Sequence, residues 1–382
     1  MVEIAISFII IIISLILYLT LKTINKYKKY EKLSEYSFND NPLKILKEED
    51  QVSCFLCLKN NDFLSGQMNG TISLYNHKDL SILCLIKVHC EIVTSLSELN
   101  DNTILTSSID GTLTKIRLLI KDNNNNIIKN RKKDYIVEFV FYTSNTAILK
   151  GVQLRNSDDI LSCNFNKELI LWKKTDKNEL ELYKPNKILL KDEFVFDIMQ
   201  INEQLFITVG NSLQCWDAKK YESITKFKYS CRSNSIYKLN EDLIGVFLEK
   251  STNILIFNTK ELNVAKIIKL SKFALTSLLS LTNNIVIAGI YDEENQTSFI
   301  NQYILKVDKL QKENKEIIDY KNLEMIKIKS EQVSFRENDQ YFEDFSWERI
   351  TIMEEMDNFI VLGTGGKAIM ENIGKLIIFK KK

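Results

Sequence analysis

Histidine and proline are almost absent from this chain, with two of each among 382 residues, and glycine is sparse at eleven. His77 and His89 are the only imidazoles, which excludes a histidine-rich metal centre and leaves a general-base role with thin support. An excess of either charge is also missing. Fifty-one basic residues face fifty acidic ones for a net +1, which excludes a nucleic-acid binder working by bulk electrostatics. No Ser-His-Asp arrangement, dinucleotide fingerprint or HExxH run occurs, so the sequence points to no catalytic residue, no cofactor and no metal. The seven cysteines, Cys54, Cys57, Cys84, Cys90, Cys163, Cys215 and Cys231, are odd in number and irregular in spacing. Most lie in apolar strand-like runs, where a free thiol behaves as a small hydrophobe, and they read as reduced thiols in the cytosol. Cys54-Phe55-Leu56-Cys57 has zinc-like spacing, yet no second pair follows, and residues three apart on a strand point to opposite faces. Gly363-Thr364-Gly365-Gly366-Lys367 lacks the Ser or Thr and the helix that a phosphate cradle needs, and reads as a turn between two strands. What remains is a composition with 45% apolar residues, enough to bury a large core.

The first residues are a different material. From Ile4 to Leu21 eighteen residues carry no charge, and a helix of that length rises about 27 Å, close to the roughly 30 Å of a bilayer's hydrocarbon. No basic residue precedes the run and no Ala-x-Ala pattern ends it, so it reads as an uncleaved anchor rather than a signal peptide. Lys22, Lys26, Lys28, Lys29 and Lys32 follow it, which places the rest of the chain on the cytosolic side. The expectation is a single transmembrane helix over residues 1–21 and a basic linker over 22–41. Two glycosylation sequons, Asn69-Gly70-Thr71 and Asn295-Gln296-Thr297, point the other way, but such triplets arise by chance in an Asn-rich chain.

Beyond the linker a short signature recurs seven times: an apolar residue, a polar knot with Asn or Asp, then an apolar pair. It occupies Leu58–Leu64, Leu99–Leu105, Asn156–Leu161, Ile201–Phe206, Leu239–Ile244, Leu281–Val286 and Met356–Ile360. Asn and Asp close turns through their own side chains, so each copy predicts a strand, a tight turn and the start of the next strand. A period near forty residues predicts a radial array of small sheets. Seven blades over residues 42–382 leave no room for a second folded domain.

Each repeat parses into strands a to d from the centre outward. The c strands align as Thr71–Asn76, Thr112–Arg117, Glu168–Lys173, Ser212–Asp217, Asn253–Asn258 and Lys375–Lys380. This series resembles WD40 repeats, whose c strand ends in Trp-Asp after a turn of the type Asp-Gly-Thr. Asp110-Gly111-Thr112 and Asn69-Gly70-Thr71 match the turn, and Trp216-Asp217 is the one literal Trp-Asp. The resemblance implies an all-β, seven-bladed β-propeller in which a His before strand a, a hydroxyl on strand b, the turn Asp and the c-strand Trp form a buried set. His89, Thr106 or Ser107, and Asp110 supply three members in the second blade, with Ile116 in place of Trp. Tyr75, Trp172, Trp216, Phe257 and Phe379 keep an aromatic there, so packing is expected to hold most blades together.

The last repeat supplies only three strands, near 349–353, 358–362 and 375–380. The alternating segment Pro42–Lys47 is therefore predicted to pair with Lys375–Lys380 and close the ring. Residues 306–347 interrupt the pattern between the sixth and seventh blades, with one outer strand expected over 324–329 and an exposed loop over 331–347. In that loop Phe335, Tyr341, Phe342, Phe345 and Trp347 lie among Glu337, Asp339, Glu343 and Asp344, a mixture suited to a protein interface or, alternatively, to a plug between blades. The basic cluster Lys129, Arg131, Lys132 and Lys133 suits an acidic partner or lipid, or plain solvation. The reading is a membrane-anchored, non-catalytic interaction scaffold on the cytosolic face, with unidentified protein partners and no nucleic acid. One alternative is an exchange factor for a small GTPase: the Sec12-type factors are also membrane-tethered WD40-like propellers, at the endoplasmic reticulum, though their span follows the propeller. That membrane is the favoured address. The other alternative is an extracytoplasmic propeller that binds a ligand or assembles envelope proteins.

Overall fold

The computed structural model describes residues 43–380 apart from 120–133, 143–145, 156, 176–182, 191–192, 230–231, 249–250, 282–283, 293, 296, 313–314, 333–347, 357–358 and 367–374. The expected anchor, linker and basic cluster therefore lie outside the described residues. Among the described residues no helix is long and apolar enough to cross a membrane.

Among the described residues the strands form seven four-stranded antiparallel sheets. Blade one consists of Val52–Cys57, Phe63–Gln67, Thr71–Tyr75 and Ile82–Lys87 in that order. The innermost strands of the next six are Val93–Glu98, Ile148–Gln153, Val195–Gln200, Ser233–Lys238, Ala274–Ser280 and Glu348–Met356. Each touches the next, and the last touches Val52–Cys57, so the sheets close into a ring about one axis. The closing blade takes its outer strand from the start of the chain: Lys44–Lys47 pairs antiparallel with Lys375–Lys380, Lys44 opposite Ile378 and Lys47 opposite Lys375. The expected closure is thus observed.

Burial explains why these residues form these strands. Second strands such as Phe63–Gln67, Ile160–Asn164 and Leu243–Leu248 are buried throughout, because each sheet covers both of its faces with its neighbours. Outer strands alternate, as in Ile82–Lys87. The core consists of clusters shared between blades. Met353, Leu362, Ile377 and Phe379 of blade seven pack with Leu279, Ile287 and Ile304 of blade six. On its other side Leu376 and Ile378 meet Val52, Phe55, Phe63 and Tyr75 of blade one, with Leu46 against them.

Two departures from the sequence reading concern the last two blades. Thr297–Lys312 and Lys315–Gln332 form one long hairpin, paired out to Lys312 opposite Lys315. Residues 306–312 and 315–332 of the segment set apart as an interruption thus belong to the third and fourth strands of blade six; the outer strand expected over 324–329 lies within the latter, and the charged, alternating sequence hid the rest. Gly363–Gly366, expected in a turn, lie in strand Phe359–Gly366, with Gly363 opposite Leu376.

Candidate functional site

The loops from an outer strand to the next innermost strand emerge at one end of the ring, and so do the turns between second and third strands. Gln332 ends the outer strand of blade six and Glu348 begins the innermost strand of blade seven, both at this end of the ring. Phe335, Tyr341, Phe342, Phe345, Trp347, Glu343 and Asp344 themselves lie outside the described residues.

Beneath the rim, buried polar sets fix the loops. In blade two His89 is 3% exposed. Its Nδ1 lies 3.2 Å from Asp110 Oδ2 and 2.9 Å from Thr112 Oγ1, and its Nε2 lies 2.6 Å from Thr106 Oγ1. Of the two hydroxyls considered in the sequence, Thr106 is the one used. Burial pushes the imidazole's pKa down and outweighs the pull of Asp110. Burial also works against ionisation of Asp110, yet hydrogen bonds from Thr112 Oγ1 and the Thr112 amide hold its carboxyl below the usual range. The result is a neutral ring clamped between an ionised carboxylate and a hydroxyl.

Blades three and four keep the other end of the same arrangement. Trp172 Nε1 donates to Ser162 Oγ at 2.8 Å, and Trp216 Nε1 to Thr208 Oγ1 at 3.0 Å. Asp217 serves a different turn. Its Oδ1 accepts the amides of Lys219 and Lys220 at 2.8 and 2.9 Å, closing the connection to the outer strand.

Two further members were not identified in the sequence. Glu48 precedes the innermost strand of blade one, 6% exposed, where it accepts from Ser65 Oγ, from Gln67 Nε2 at 2.7 Å and from Ser73 Oγ at 3.0 Å. Burial raises its pKa against the hydrogen bonds of Ser65, Tyr75 and Ser73. Glu193 plays a similar part in blade four, accepting from Ser212 Oγ and Gln214 Nε2, both at 3.0 Å, and from Lys226. A signal for Glu48 was present. It stands 17 residues before its strand-b hydroxyl, the same offset as His89 to Thr106.

The axis carries a second group of polar residues. Every innermost strand has a register shift near its start, which leaves Ser53, Thr94, Leu149, Phe196, Asn234, Thr276 and Thr351 unopposed. Such bulges re-aim side chains. Ser53 Oγ donates across to the Val93 carbonyl of blade two, and Thr94 Oγ1 to the Ile148 carbonyl of blade three, each at 2.6 Å. Asp197 Oδ2 accepts the Ile236 amide of blade five at 2.9 Å, and its Oδ1 lies 3.3 Å from Lys150 Nζ of blade three. The attraction of Asp197 raises the Lys150 pKa and keeps the amine charged. Glu354 of blade seven is pushed up to about 7 by burial, with Lys150 opposing. Cys54 is pushed up to about 12 by burial, so it is an inert thiol. Among the described residues no three metal-ligating side chains converge.

No protein-family model matches the chain, and no curated protein sequence matches it. Solved structures do. The β-propeller domain of Cps50 (Swd1) from Myceliophteria thermophila is 12% identical, with a TM-score of 0.57 over 87% of this chain and 99% of that one. The WD40 repeats of RRP9 are 10% identical, with a TM-score of 0.60 over 90% of this chain and 99% of that one. U3-55K is 10% identical, with a TM-score of 0.60 over 88% and 99%. At such identities the likeness shows the fold alone, and that fold is the WD40-type seven-bladed β-propeller.

Proposed function

We propose that this chain is a non-catalytic protein-interaction scaffold, held at a membrane by residues 4–21 with its ring on the cytosolic side. The observation that carries the reading is the closed ring: seven blades, the first four with buried polar sets beneath the rim, and the aromatic-acidic segment lying in sequence between Gln332 and Glu348. A rigid ring offers loops at fixed positions and low ordering cost, and aromatic residues supply most of the hot-spot energy at interfaces. The basic flank after Leu21 supports the cytosolic orientation, and WD40-type propellers as structural neighbours fit a protein-binding role.

The test of the rim is a pull-down with Phe342→Ala combined with Phe345→Ala. The proposal expects loss of a captured partner with an unchanged melting temperature; a variant melting well below wild type would mean that the segment plugs the seam between blades. Alkaline extraction tests the anchor. The full chain should stay with the membrane pellet and a chain lacking residues 1–21 should not.

A further inference from the structure

A second surface lies on the flank of the ring, away from the rim. The outer strands of blades five and six, Asn263–Lys269 and Lys315–Gln332, are the last strands of their sheets and present unpaired edges. Between them runs an open groove of about 430 Å³, lined by residues 266–269 and 323–327. A bulge in the long hairpin shapes it. Lys306 pairs with Glu324 and Asp308 with Asp319, so Val307 alone faces residues 320–323. The Leu323 carbonyl freed there accepts a 2.8 Å hydrogen bond from Lys266 Nζ, which ties the two blades together at the floor.

The groove has an apolar body and a one-sided charge. Ile268, Leu323 and Met325, which pack on the cluster between blades five and six, supply the first. Lys266 and Lys327 stand on the sides that face each other across the groove, paired with Ile256 and Tyr303, while Lys269 and Glu324 lie on the opposite faces of their strands. Lys327 has no ion-pair partner among the described residues. Desolvation with nothing to offset it pushes the Lys327 pKa down, and a carboxylate arriving beside that amine would favour its charged form.

We propose that this groove is a docking cleft for an extended acidic peptide that carries apolar side chains. The unpaired strand edges offer main-chain partners to an extended segment. The apolar floor takes alternate side chains, and the lysines select acidic sequence. A nucleic acid is a poorer match, because the surplus is confined to one narrow cleft in a chain of net charge +1.

The experiment uses the full chain in detergent and a fluorescein-labelled peptide alternating glutamate and leucine, read by anisotropy. Saturable binding is expected, falling with added salt, and weakened about tenfold or more by Lys327→Glu, alone or with Lys266→Glu. Met325→Ser, on the facing side, should weaken it without touching a charge. A photo-crosslinker in the peptide should label residues 263–269 or 315–332. Equal binding of a lysine–leucine peptide, an affinity indifferent to the charge reversals, or crosslinks elsewhere would overturn the proposal. The Phe342→Ala, Phe345→Ala variant should bind the peptide as wild type does; loss of binding there would move the site to the rim.

Discussion

Gly70 shows how one position decides a join between blades. Its φ is +84°, a region that side-chain-bearing residues rarely adopt, and an added Cβ would lie 2.5 Å from the His89 carbonyl at the entrance to blade two. Backbone cannot yield as a flexible side chain can. Gly70→Ala is therefore expected to destabilise the ring by about 1–3 kcal/mol, read from denaturant midpoints. Gly111, at φ +85°, would meet only the Thr146 carbonyl at 3.3 Å, so Gly111→Ala should cost less. Glu354 carries a second residue-scale prediction. Its folded-state pKa, about 7, is raised above the ordinary glutamate value of 4.5, so the stability it contributes is full below pH 4.5 and is lost as pH rises through 7. Glu354→Gln should equal wild type near pH 4 and exceed it at pH 8 by about 1–3 kcal/mol. His89 works in the opposite sense: its lowered pKa gives stability that is present above pH 6.5 and lost on acidification. The His89 set was legible because histidine is rare and the Asp-Gly-Thr turn marks its partner. Glu48 and Glu193 were missed, since a glutamate before a strand ordinarily means solvent; only the 17-residue offset marked Glu48, and folding of its own blade brings Gln67 and Ser73, or Gln214, to each carboxylate.

At the scale of elements, the recurring polar knots carried the most information. Asn61, Asn102 and Asn284 each stand three residues after the knot's leading leucine, and all three have positive φ, which Asn tolerates well. The turns from third to outer strand were harder to see. Leu80, Tyr221 and Leu262 also have positive φ, each four residues after Asn76, Asp217 or Asn258, whose side-chain oxygens accept amides within the turn. Nothing about Leu or Tyr announces that conformation. The seven bulges were equally hidden, because an extra residue in a strand changes no letter of the pattern. The closing strand was legible from the count, since a four-strand repeat left one sheet a strand short. Removing residues 43–47 uncovers the edge of Lys375–Lys380 and takes Leu46 from the cluster between blades one and seven. That deletion should lower the melting temperature markedly, and an unchanged melt would refute the role given to this pairing.

For the whole molecule, stability resides between blades. Each apolar cluster draws on two neighbouring sheets, so no blade can keep its core when the next one opens. Urea unfolding followed by far-ultraviolet dichroism and by tryptophan fluorescence should therefore give coincident transitions, although Trp172 and Trp216 report only on blades three and four. In a chain lacking residues 43–47 the two probes should separate, because a ring cut at one seam behaves as a linear array able to fray from its ends.

That seam also sets an order of events at the ribosome. Lys44–Lys47 is made first, and its partner is translated only after every intervening blade. Sheets one to six can form during translation, but the opening tetrapeptide must stay unmated throughout, its hydrogen-bonding edge bare among other nascent chains. Closure is thus a late docking step, and a stop codon just ahead of Lys375 would strand an otherwise correct polypeptide as an open, adhesive arc.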